Sequence, residues 1–251
     1  MNTLTILRRS IKWRLYNPAT ILATIIQPLI WLVLYSTTAG QSMSAAGIGH
    51  YPSFILPGLM VLVCFGVCSS TGIMNYLTRR DGSFYRILTA PVSRTSIAAG
   101  QILEAVLCSF LEVCIMCGLS LLLSARFSFG AGELVLAVLI LFLASFFMAG
   151  LAYTASLFLP NEVMYETVMN GVVLPVFFLS TALFPADMVS KKLAVIIRLN
   201  PFTHVINGLR SLIITGGAEP GYLLFILFML LCLDIFILFC ARWRLERAEG
   251  L

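Results

Sequence analysis

The chain has 251 residues, 60% of them hydrophobic and only 11% charged, with a formal net charge of +5. Together with a mean hydropathy of +0.99, this excludes a soluble domain, which needs far more polar surface at this length. The basic residues cluster beside apolar runs and form no stripe, so they read as a membrane-orientation signal and exclude a nucleic-acid partner.

In chain order, the first 18 residues carry Arg8, Arg9, Lys12 and Arg14. Leu4, Leu7, Ile11 and Leu15 share one helical stripe, which predicts a helix lying in the membrane interface; a plain tail is the alternative. No Asp, Glu, Lys or Arg occurs between Arg14 and Arg79. A helix needs roughly 20 apolar residues to cross the hydrocarbon core, so this stretch holds two spans, at about 19–39 and 54–77. The first is too long for the roughly 7–15-residue apolar region of a cleavable signal. A polar segment, 78–100, follows. Further spans are predicted at about 101–123, 133–158, 163–184 and 220–241. No internal repeat is present, which weighs against repeat-built secondary transporters. The expected fold is therefore an all-α membrane protein, a single transmembrane domain over 1–251 with six transmembrane helices.

Orientation follows from the basic residues. With the amino terminus inside, eleven Lys and Arg fall on the cytoplasmic side and five outside, which places both termini in the cytoplasm. Four of the outer five (Lys191, Lys192, Arg198 and Arg210) belong to one segment, 185–219. It is too polar to span, yet Phe202, Val205, Ile206, Leu209, Leu212 and Ile213 recur at helical spacing, with Thr203, Asn207, Arg210 and Ser211 largely opposite. Val189, Leu193, Ile196 and Ile197 form a second apolar face, separated from the first by Pro201. Two short re-entrant helices before the last span, over 185–214, fit this pattern, with basic side chains reaching lipid headgroups. A surface helical hairpin without membrane contact fits it too.

All seven cysteines lie in apolar runs and are expected to pack in the core; Cys114-x-x-Cys117 has no second pair, so no metal site is expected. No G-x-x-x-x-G-K-[ST] loop, H-E-x-x-H motif or serine elbow occurs, so no catalytic residues and no bound cofactor are assigned. Glu112 and Asp234 are the deeper intramembrane charges, and each is expected either to pair with a neighbouring helix or to touch substrate. Glu162 and Glu166 begin the fifth span, where the helix dipole favours them. The 78–100 segment mixes charges with aromatic anchors: Arg79, Arg80, Gly82, Phe84, Tyr85, Arg86 and Leu88, stopping at Pro91. That composition suits a docking surface for another protein; a solvated loop is the plainer reading.

Several stretches together resemble the ABC-2-type transporter permeases, the membrane subunits of bacterial ABC exporters. They are Arg14-Leu-Tyr-Asn-Pro18, Gln27-Pro28, Pro57-Gly58, Leu88-Thr-Ala-Pro91-Val-Ser-Arg94 and Gly100. Leu179-Ser-Thr-Ala-Leu-Phe-Pro185 also matches, with Thr181 where glycine is commoner, and the most specific match is Leu199-Asn-Pro201-Phe-Thr-His-Val-Ile-Asn-Gly-Leu-Arg210. The resemblance implies a multi-pass protein of the cytoplasmic (inner) membrane that pairs with a second permease, as a homodimer, and with two ABC ATPase subunits. Those partners would hold the ATP and Mg. It further implies that the interface helix and the 78–100 loop couple to the ATPases, and that 185–214, with Asn200, Pro201, Phe202, His204 and Arg210, is re-entrant. The apolar spans favour an amphiphilic or lipid-linked cargo, a glycan or a drug. The alternative is a secondary transporter or channel that needs no ATPase.

Overall fold

The computed structural model describes residues 16, 18–38, 40, 50–80, 82, 94–122, 125–217 and 219–247. Among these residues the protein is all-helical. The helices are α1 (Pro18–Thr38), α2 (Tyr51–Arg80), α3 (Arg94–Leu122), α4 (Ala131–Phe158) and α5 (Glu162–Phe178). A short 3₁₀ turn (Ala186–Met188) leads to α6 (Lys191–Leu199) and α7 (Pro201–Arg210), a π-turn (Ser211–Thr215) and α8 (Pro220–Arg247).

Among the described residues, four stretches are long and apolar enough to cross a membrane: Tyr51–Met74, Ala98–Leu122, Ala131–Phe158 and Pro220–Arg244. Ile25–Thr38 is a shorter apolar helix. The outward face of α8 shows why such helices need lipid: Leu224, Phe228, Ile235 and Phe239 are each 67–69% exposed. A face of that kind is stable against hydrocarbon and not against water.

α2 is the central element, packed against α1, α3, α4, α5 and α7, and every residue from Ile55 to Phe65 is buried. In lipid, helices associate through close packing of small residues, and two glycines of α2 serve that purpose. A Cβ at Gly58 would lie 2.6 Å from Ala182 Cβ, and one at Gly72 would overlap the Tyr165 hydroxyl. Tyr165 in turn donates to Ser69 O at 2.9 Å, so α5 is both packed and hydrogen-bonded onto α2. α4 and α8 run parallel. Ile140 and Ile226 both approach Gly208, Gly150 faces Ile237, and Arg244 Nε donates to Leu157 O at 3.4 Å.

Several helix boundaries differ from those read off the sequence. α2 starts at Tyr51 and continues to Arg80, and α3 starts at Arg94, inside the segment expected to be a loop. Apolarity marks only the part of a helix that sits in hydrocarbon, whereas backbone hydrogen bonding carries the helix on through polar ends. Gly82 follows α2 with φ +71°, the left-handed conformation that ends a helix.

α5 ends at Phe178 rather than near 184, although the sequence stays apolar. Side chains take over the carbonyls that the broken helix leaves open. Asn200 Nδ2 donates to Val176 O and Leu179 O at 2.7 and 2.8 Å, and Arg210 Nη2 donates to Thr181 O at 2.7 Å.

The cysteine expectation holds only in part. Cys64, Cys68 and Cys108 are buried, but Cys114 and Cys232 are exposed. In a membrane bundle an apolar run also supplies the outer surface, so apolarity alone does not place a residue inside.

Candidate functional site

The two short helices expected before the last span are present as α6 and α7, and Pro201 occupies the first position of α7. Asn200 caps that helix, its side-chain oxygen accepting from Phe202 N at 3.0 Å, while its amide holds the end of α5. Phe202, Val205, Ile206, Leu209, Leu212 and Ile213 are all buried, as their spacing implies. Phe202 stacks at a tilt on Phe65, with ring centroids 4.7 Å apart. Thr203 departs from the expected pattern: it is 2% exposed, and its hydroxyl has no partner among the described residues. α7 is enclosed over a wider arc than its apolar stripe, which draws Thr203 inside.

Arg210 is the hub of this region. Its Nε donates to Phe54 O at 3.1 Å, Nη1 to Asn207 Oδ1 at 2.9 Å, and Nη2 to Thr181 O at 2.7 Å. The guanidinium lies 3.8 Å above the Phe54 ring. Burial lowers its pKa to about 10, which leaves it charged at neutral pH. Thr181 Oγ1 also donates to Asn207 Oδ1 at 2.8 Å, and Tyr51 donates its hydroxyl to Leu183 O at 2.9 Å. One cation thereby ties together the start of α2, the turn after α5 and the end of α7.

His204 lies six residues before Arg210 on α7, with Nε2 3.0 Å from Arg198 O and Nδ1 3.1 Å from the Tyr222 hydroxyl. A carbonyl only accepts, so Nε2 carries a proton; in the neutral ring Nδ1 then accepts from Tyr222. These groups line a cavity of about 350 Å³ that also includes Thr203 and Asp187. Of the residues singled out in the sequence, His204 and Arg210 line this cavity, whereas Asn200 and Pro201 form the start of α7 and Phe202 packs on Phe65. Phe54 and Thr181, whose carbonyls Arg210 binds, are not readable as its partners from the sequence, because contacts this distant in sequence leave no local signal.

The other candidates are dispersed. Arg79 and Arg80 form the end of α2, with Gly82 just beyond. Phe84, Tyr85, Arg86, Leu88 and Pro91 lie outside the described residues, as does the amino-terminal segment expected to form an interface helix. Glu112 is fully buried in α3. Asp234 is 5% exposed in α8, and neither carboxylate oxygen has a hydrogen-bond partner among the described residues.

The polar residues of α5 extend beyond the helix start that accounts for Glu162. Glu166, Thr167 and Asn170 are exposed on its outward face. Glu162 occupies the first turn and Asn161 caps it, accepting from Met164 N at 2.8 Å. Glu166 and Asn170 are one turn apart, and that spacing was the available signal.

The model of the ABC-2 type transporter family matches residues 1–214. The chain belongs to the ABC-2 type transporter family. It is 31% identical over 202 residues to the Porphyra purpurea protein named "Putative transport permease ycf38", covering 79% of this chain and 68% of that one. The protein of the same name from Pyropia yezoensis is 31% identical over 207 residues, covering 80% and 69%. That of Cyanophora paradoxa is 28% identical over 199 residues, covering 78% and 68%. With its apolar helices, this ABC-2 family member is a multi-pass membrane protein and a transport component. The family match runs from the amino terminus through α7 and most of the π-turn, so Arg210 lies within it, while Tyr222 and Asp234 lie beyond.

Proposed function

We propose that this chain is the membrane-spanning permease subunit of an ATP-driven ABC exporter. It would move an amphiphilic or lipid-linked substrate, glycan or drug out of the cytoplasm or inner leaflet. Membership of the ABC-2 family carries this reading. The 251 residues contain no phosphate-binding loop, so ATP and Mg are held by separate ATPase subunits, two per complex.

In this reading α1 and α5 complete a set of six spans, α6 and α7 are re-entrant on the outer side, and both termini face the cytoplasm. The excess of basic residues on the inner segments supports the orientation. The α5 face supports a paired permease. Glu166, Thr167 and Asn170 would be costly against hydrocarbon but are stable against a second copy or a wet path between copies. The 78–100 segment, with Arg79, Arg80, Gly82, Phe84, Tyr85, Arg86, Leu88 and Pro91, is the coupling surface. ATP binding by the partner would move it and, through α2, the helices packed on α2.

Co-purification with a candidate ABC ATPase co-expressed with the chain tests the docking assignment. Loss of the ATPase after Phe84→Ala, Arg86→Ala and Leu88→Ala together is expected. Normal assembly of that triple variant would show that the loop is not the docking surface.

A further inference from the structure

The 350 Å³ cavity between α7, the turn after α5 and the first turns of α2 and α8 is basic, and its charge is poorly compensated. Arg210 makes three hydrogen bonds, all to neutral oxygens (Phe54 O, Asn207 Oδ1 and Thr181 O). A guanidinium has five N–H donors, so two remain beyond those bonds. Arg198 also lines the cavity, and its one acidic neighbour, Asp187, is 88% exposed and 3.5 Å away. A cation withdrawn from water with only neutral partners favours an anion in the space beside it. Thr203, which also lines the cavity, adds a buried hydroxyl that has no partner among the described residues.

A second observation bears on what carries the anion. Arg198 belongs to α6, and that helix leaves Val195, Ile196 and Leu199 exposed at 58%, 50% and 78%. Lys191 and Lys192 precede them. An apolar face rimmed with basic residues lies against acyl chains. The same short helix therefore offers a surface for hydrocarbon and a charged side chain to the cavity. A volume of about 350 Å³ is within the roughly 300–1,000 Å³ of small-molecule sites.

We infer that this cavity binds a phosphate-class anion presented as the headgroup of an amphiphile. Arg210 and Arg198 hold the phosphate oxygens, Asn207, His204 and Tyr222 form the polar wall, and the α6 face accommodates the chain. The simpler account makes Arg210 only a structural tie. It explains the three hydrogen bonds but not the polar space beside them or the buried Thr203 hydroxyl that lines it. The inference deepens the proposed export role by naming a cargo chemistry. Its test needs no ATPase, so its failure and a failure of ATP coupling are separable.

The full chain, purified in an uncharged maltoside detergent, is titrated calorimetrically with dioctanoyl-phosphatidylglycerol, with uncharged dioctanoylglycerol and with inorganic phosphate. Saturable binding of the phospholipid is expected, with dioctanoylglycerol showing no such site and inorganic phosphate binding more weakly. Exposed Arg198 is the safe position to vary, and Arg198→Glu is expected to weaken the phospholipid at least about tenfold. Arg210→Lys, which keeps the charge but loses the fork, is expected to weaken it about fivefold. Unchanged affinity in Arg198→Glu, or equal binding of dioctanoylglycerol, overturns the site. Equal affinity for inorganic phosphate overturns the amphiphile and leaves a free anion as the ligand.

Discussion

Arg210 at the end of α7 and Phe54 in the first turn of α2 are joined twice. The Arg210 Nε donates to the Phe54 carbonyl at 3.1 Å, and the guanidinium covers the Phe54 ring at 3.8 Å. Through the same side chain the turn after α5 is held as well. Arg210→Ala leaves the Thr181 carbonyl without this donor and removes the ring contact. A loss of about 2–4 kcal/mol is expected, seen as a lower Tm of the detergent-solubilised chain. Arg210→Lys should fall between wild type and Ala, and a wild-type Tm in Arg210→Ala would show that the hub is not structural.

The close approach of α2 to the turn after α5 makes a matched pair of glycine variants informative. A Cβ at Gly58 meets Ala182 Cβ at 2.6 Å and its Cα at 2.7 Å, so the backbone must move. Gly58→Ala is expected to cost about 1–3 kcal/mol. Gly66, on the same helix, has open space around it, and Gly66→Ala should be neutral or stabilising by up to about 1 kcal/mol. Equal Tm shifts for the two variants would contradict the packing.

Much of this architecture is readable from the sequence where the signal is local. The 3.6-residue spacing of Phe202, Val205, Ile206 and Leu209 marks the buried face of α7, and Pro201 marks its start. The end of α5 was not readable, because Leu179 to Phe184 remains apolar while the backbone turns. What ends the helix is a set of donors from Asn200 and Arg210, 21 and 29 residues further on. The role of Phe54 was hidden for the same reason, since its partner is 156 residues away. On α5 the helix dipole accounts for Glu162 in the first turn but not for Asn170, two turns further on.

If a second copy covers that face, Asn170 should be close to its partner. Asn170→Cys, in a background with exposed Cys114 and Cys232 replaced by serine, is expected to form a disulfide-linked dimer under mild oxidation in membranes. Leu224→Cys, on the lipid-facing side of α8, should stay monomeric under the same conditions. The reverse pattern, read on a non-reducing gel, would move the interface to α8.

Asp234 separates ATP-driven from ion-coupled transport. Its carboxylate is buried in α8 without a hydrogen-bond partner among the described residues, the kind of group a proton-coupled carrier uses. In the proposed reading Asp234→Asn retains ATP-dependent activity within about twofold and does not lower Tm, since a buried charge is costly on its own. Loss of activity together with an intact fold would favour ion coupling.

Coupling to an ABC ATPase is read out by ATP hydrolysis in reconstituted vesicles. A candidate ABC ATPase that co-purifies with the chain is assayed alone, with the wild-type chain, and with the Phe84→Ala, Arg86→Ala, Leu88→Ala variant. Hydrolysis is predicted to change severalfold with the wild-type chain and to return to the rate of the lone ATPase with the variant. A rate indifferent to the chain, with solute flux driven by an ion gradient through the chain alone, would contradict the account.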